Sequence, residues 1–69
     1  MKFFVLVESI GRELSIPEFF GTLKEAKKEM RSRAKDCQEY EIEDMSAYGT
    51  TKNDDEWDAM IYEQTIQIS

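Results

Sequence analysis

Sixty-nine residues, 41% of them hydrophobic and 12% aromatic, make one small domain over residues 1–69, with too much apolar content for a disordered segment. A chain of this length hides only about 60% of the surface that unfolding would expose, so modest stability is expected. The net charge of −6 works against contact with nucleic acid or an anionic membrane and favours basic surfaces.

That charge is unevenly placed. Residues 1–35 carry +3, whereas residues 36–69 carry −9, with Lys52 the one basic side chain there. A single cysteine, Cys37, excludes an internal disulfide and gives no sign of an oxidising compartment.

The first residues, MKFFVLVES, resemble a signal peptide only superficially. The apolar run over residues 3–7 stops at Glu8, short of the roughly 7–15 residues of a secretory core and the roughly 20 of a membrane span. A soluble, cytoplasmic protein is the expectation. Residues 2–8 read as a first strand with Phe3, Val5 and Val7 on one face and Phe4 and Leu6 on the other, a central strand covered on both sides. Ile10-Gly11-Arg12 supplies a turn, and residues 14–20 form a second strand. Pro17 cannot donate to a ladder, which confines that strand to an edge.

Residues 22–40 carry the only strong helical pattern. Leu23, Ala26, Met30, Ala34 and Cys37 fall within an arc of roughly 80°, a narrow apolar stripe for lying on a core. Thr22 and Glu25 form a capping box, with Gly21 letting the chain turn in. Lys24, Lys28, Arg31 and Lys35 form a second, basic stripe, read as a solvated outer face. Cys37, on the apolar stripe, reads as a buried filler rather than a reactive thiol.

A turn and a short third strand over residues 44–48 follow, then a polar loop, GTTKNDD, over residues 49–55. Residues 57–68 could start a helix from an Asn53 cap, but Trp, Ile, Tyr and Thr are strand formers and Ile66 and Ile68 alternate; a strand is expected. The fold class is therefore α+β: a small antiparallel sheet, ββαββ, with one amphipathic helix packed across one face. A single helix covers one sheet face only. Phe4, Leu6, Met60 and Tyr62 are assigned to the uncovered face, where a second copy or a partner protein would lie.

Catalysis has little to work with. There is no histidine, the three glycines are dispersed, and neither the serines nor Cys37 have a base to activate them. The run Asp54, Glu56, Asp58 begins like a calcium loop, but Ala59 stands in place of the required glycine and Thr65 in place of the closing glutamate. Neither an enzyme, a metal site nor a cofactor is expected. Direct nucleic-acid binding through Lys24, Lys28, Arg31 and Lys35 conflicts with the overall charge and with the lack of aromatics among them.

Spaced carboxylates can instead occupy the places of phosphates in a basic groove. Glu39, Glu41, Glu43, Asp44, Asp54, Asp55, Glu56 and Asp58 are the candidates, with Tyr48 and Trp57 as aromatic anchors. The competing reading is that the charge serves solubility alone and the chain is a self-associating accessory domain.

The strings FGTLKEAKKEM and MSAYG and the Trp57-led segment ending IYE resemble the small uncharacterised α/β proteins common in bacteriophages and gut Firmicutes. Phe20, Thr22, Glu25, Ala26, Ser46, Ala47, Tyr48, Trp57, Ile61 and Glu63 carry the likeness, and the chain departs from it by running on past Glu63 with QTIQIS. The resemblance implies a compact α/β fold and a mobile-element origin; it brings no activity and no site residues. Some short acidic phage proteins inhibit host nucleases or transcription machinery, and by that analogy alone the expected function is a non-enzymatic interaction module that inhibits a basic, nucleic-acid-binding protein.

Overall fold

The structure, a computed structural model, describes residues 1–67. Six strands and one helix follow in the order β1 (Lys2–Ile10), β2 (Glu13–Leu14), β3 (Glu18–Phe20), α1 (Leu23–Ala34), β4 (Glu39–Ile42), β5 (Ser46–Thr50) and β6 (Glu56–Thr65). All pairings are antiparallel, in the order β2-β1-β6-β5-β4, with β3 also on β1. One helix on one antiparallel sheet is the α+β class that the sequence implies, with more strands than ββαββ.

β1 and β6 are the spine, paired from Lys2↔Thr65 to Ile10↔Trp57. The other edge of β1 is shared: β3 takes Phe4 to Leu6, and β2 takes Ser9 and Ile10. The expected single strand over residues 14–20 is thus two short ones. Pro17 sits in the gap between them, where no ladder amide is required of it. Ser15 bridges the gap, its amide donating to the Glu8 carbonyl at 2.9 Å and its hydroxyl to the same oxygen at 3.1 Å. Gly11, at φ 63°, makes the two-residue turn into β2, a backbone state that glycine enters without a Cβ penalty.

The helix starts as its capping box dictates, the Glu25 amide donating to Thr22 Oγ1 at 3.2 Å. It ends at Ala34, earlier than its stripe suggests. The amides of Asp36 and Cys37 donate to the carbonyls of Arg33 and Ala34, at 3.1 and 3.0 Å, tightening the chain into a turn. Cys37 still completes the buried stripe from that turn, so the apolar period overshoots the helix. The strand expected over residues 44–48 is a hairpin, β4 and β5, closed by a bond from the Glu43 amide to the Ser46 carbonyl at 2.8 Å. β5 runs on through Gly49 and Thr50, which shortens the expected polar loop. A Cβ on Gly49 would lie 2.2 Å from the Glu39 carbonyl oxygen, so glycine is what lets β4 and β5 approach. Of the ambiguous stretch 57–68, β6 makes residues 57–65 strand; Ile66 and Gln67 lie beyond its end, and Ile68 lies outside the described residues.

The core lies between α1 and one sheet face. Phe4 and Leu6 of β1, Ala47 of β5, and Trp57, Ala59 and Ile61 of β6 meet Ala26, Met30, Ala34 and Cys37. Alanines on both sides let the helix settle close to the sheet, and Met30 fills the space between. Two of the residues expected on an association face are therefore core: Phe4 is 9% exposed and Leu6 1%. Both faces of β1 are apolar, so its alternation alone does not say which face the helix covers. Register with β6 decides it, placing Leu6 beside Ile61 and Val5 beside Tyr62.

Arg33 ties the helix to the sheet. Its guanidinium donates to Glu8 on β1 at 2.5 Å, to Glu18 on β3, and to Glu29 one helical turn back at 3.2 Å. Burial opposes its charge, but the two sheet carboxylates outweigh that and hold its pKa above the ordinary arginine value.

Candidate functional site

Strand alternation sends every second side chain to the face that α1 leaves open. Along β1 these are Phe3, Val5, Val7 and Ser9; along β6, Glu56, Asp58, Met60, Tyr62 and Gln64. β5 adds Ser46, Tyr48 and Thr50, and β4 adds Glu39 and Glu41. Leu14 and Phe19 join from the β2/β3 edge, opposite Ser9 and Val5.

The composition of this face divides across its width. The β3–β1–β6 side is apolar: the Phe3 and Phe19 rings meet tilted by 46° at a centroid distance of 5.9 Å, and Val5, Val7, Met60 and Tyr62 continue from them. Phe19 is 69% exposed and Leu14 77%, with no element of the chain above them. The β5–β4 side and the neighbouring end of β6 are acidic, with Glu39, Glu41, Glu56 and Asp58. Among the described strand residues of this face there is no lysine or arginine. The outer surface of α1, on the far side of the slab, exposes Lys24, Lys28, Arg31 and Lys35. The front-to-rear charge difference in the sequence has thus become a difference between two faces.

Tyr48 sits within the acidic half, where its hydroxyl donates to Glu41 Oε2. That bond, with the charges of Glu41 and Glu43, pushes the phenol above the ordinary tyrosine pKa. Glu43 follows β4 in the same phase as Glu39 and Glu41.

The remaining expected partner residues are elsewhere. Asp44 is at the β4–β5 turn and pairs with Lys27 of the helix at 2.8 Å. Asp54 accepts from Gln38 Nε2 at 2.6 Å, and Asp55 bonds to Thr51 in the same turn. Trp57 is not an anchor. It is 2% exposed, because it alternates with Glu56 and Asp58 and so points beneath the helix. Met60 and Tyr62 are on the open face, as expected of them; Phe3, Val5, Val7, Leu14 and Phe19 were missed there.

Two depressions mark the apolar half. One, of about 150 Å³, lies between Val7, Leu14, Met60 and Tyr62. A wider one, of about 540 Å³, is bounded by Phe3, Phe19, Phe20 and Ile66 and opens broadly to solvent. Both are lined mainly by apolar side chains, with Glu8, Ser9 and Asp58 the polar residues of the first and Lys2 that of the second. Cys37 donates weakly to the Arg33 carbonyl at 3.9 Å, and burial, aided by Asp36 and Glu8, raises its thiol pKa. Among the described residues no group of three or more His, Cys, Asp or Glu could hold a metal ion, and no helix is long and apolar enough to cross a membrane.

No family model, no curated protein and no solved structure matches this chain.

Proposed function

We propose that this chain is a non-enzymatic protein-interaction module, acting in the cytoplasm, whose acidic half-face binds a basic protein surface in competition with nucleic acid. One observation carries the reading: the sheet sets Glu39 and Glu41 of β4 and Glu56 and Asp58 of β6 on either side of Thr50 and Tyr48 of β5, on a face whose described strand residues include no compensating cation. Carboxylates two residues apart on a strand are about 6.8 Å apart, and with β5 between them β4 and β6 lie about 9.6 Å apart, which gives a lattice of two short negative rows. The lysines and arginines of a phosphate-binding groove gain charge-assisted hydrogen bonds from such a lattice as they do from a nucleic-acid backbone. Tyr48, held by Glu41, supplies an aromatic contact inside it. An inhibitor encoded on a phage or other mobile element is the role that analogy with short acidic phage proteins suggests for such a module.

The test is capture of nucleic-acid-binding proteins by the immobilised chain. Binding is expected to weaken steeply with salt, to be displaced by duplex DNA, and to be lost in the Glu39→Gln, Glu41→Gln, Asp58→Asn variant. Capture that survives those substitutions would remove the acidic half from the interaction. The exposed apolar half favours a second reading, a self-associating domain whose charge serves solubility only.

A further inference from the structure

We infer that the free edge of β4 takes up an extended basic peptide segment as a further antiparallel strand, with lysine or arginine at every second position. The inference rests on the proposed binding of a basic protein and adds the shape of the segment that is bound.

The backbone leads to it. β4 ends the sheet on one side, with β5 its one strand partner. The Glu43 amide donates to the Ser46 carbonyl, and hydrogen-bonded pairs alternate along an antiparallel ladder. Glu39 and Glu41 therefore also turn their amides and carbonyls to β5, whereas Tyr40 and Ile42 turn theirs the other way. Among the described residues nothing bonds to those outward groups. An incoming strand gains main-chain hydrogen bonds from such an edge, and side chains decide which strand is accepted. The opposite edge of the sheet is unlike it: Pro17, which has no amide, falls between β2 and β3 and breaks the run.

Charge names the occupant. Residues directly opposite on neighbouring strands bring their Cβ atoms to about 5 Å, where opposite charges stabilise and like charges destabilise. Glu39 and Glu41 are on the open face, so the residues beside them on the incoming strand are basic. The β4 of a second copy does not fit. With the outward groups on Tyr40 and Ile42 in both copies, an antiparallel join would set glutamate against glutamate. The alternate positions of the incoming strand fall on the helix side, beside Tyr40, 47% exposed, and Ile42, which packs against the core. Apolar side chains suit that flank, where Lys27 of the helix, paired with Asp44, already places a positive charge. Tyr48 and Asp58 stay uncovered, and the partner's other basic groups can still reach them.

Calorimetry with a short synthetic peptide that alternates arginine and valine tests this. The chain is expected to bind it, and to bind roughly tenfold more weakly a peptide of the same composition with its arginines grouped together. Methylating every second peptide amide should abolish binding in one phase and spare it in the other. Tyr40→Pro removes an outward amide without touching the ladder to β5. It is expected to weaken binding roughly tenfold, about one hydrogen bond, with the circular dichroism spectrum unchanged. In the wild-type complex, amide exchange at Tyr40 and Ile42 should slow. Failure to bind the alternating peptide, equal affinity for the grouped one, or unchanged exchange at Tyr40 and Ile42 overturns the strand addition. If nucleic-acid-binding proteins are nevertheless captured, and lost with Glu39→Gln, Glu41→Gln, Asp58→Asn, the proposed function stands without it. Failure of both the peptide and the capture overturns both.

Discussion

Arg33 shows how one side chain can hold two layers in place. It links α1 to β1 through Glu8 and to β3 through Glu18, and the Glu8 side chain it meets is only 12% exposed. Removing the guanidinium would leave that carboxylate shielded from water and without its partner. Arg33→Met is expected to cost about 1.5–3 kcal/mol in urea denaturation, against almost nothing for Lys24→Met on the solvated face. Tyr48 offers a pH handle. Its phenol is favoured in the neutral form by Glu41, so the folded pKa lies above the unfolded one. The associated stability is present below the ordinary tyrosine pKa and is lost as pH rises through the higher folded value. Absorbance titration of phenolate should show one late-ionising tyrosine, and Glu41→Gln should bring it down.

At the scale of elements, the helix was readable because its apolar side chains, its cap and its basic stripe agree with one another. Met30, with no exposed surface at the centre of that stripe, is the sharpest check. Met30→Asp should abolish the cooperative melt, since an unpaired carboxylate would replace the side chain that fills the helix–sheet space. The helix end was less readable. Cys37 prolongs the stripe while the backbone has already turned, and the alternation of Glu39, Tyr40, Glu41 and Ile42 that makes β4 was masked by that continuation. Pro17 announced an edge but not a break, because a proline at a gap and a proline on an edge strand look the same in sequence. Trp57 could have been placed correctly: Glu56, Trp57, Asp58, Ala59 is a plain inward–outward alternation, and the aromatic is on its inward phase.

For the whole molecule, the uncovered sheet face was legible and its contents were not. One helix and a sheet apolar on both sides leave a bare surface whatever the connections. Which side chains occupy it depends on pairing between strands some fifty positions apart, and a one-residue slip would exchange Val5 and Met60 for Leu6 and Ile61. The charge asymmetry was equally visible as a number, yet only the register β4–β5–β6 gathers Glu39, Glu41, Glu56 and Asp58 while leaving Asp44 and Asp54 to local pairs.

The β1–β6 spine also governs when this protein can exist as a folded object. β1 leaves the ribosome before its long neighbour β6, and β5 needs that same strand before it can connect to β1. Until residues 56–65 are free, the nascent chain can pair β1 with β2 and β3 and make the helix and the β4–β5 hairpin, but nothing joins the hairpin to β1. Closing so distant a pair costs loop entropy before any contact repays it. The consequence is that the two groups of strands join only when β6 arrives, and until then the long edge of β1 is open to chaperones and proteases.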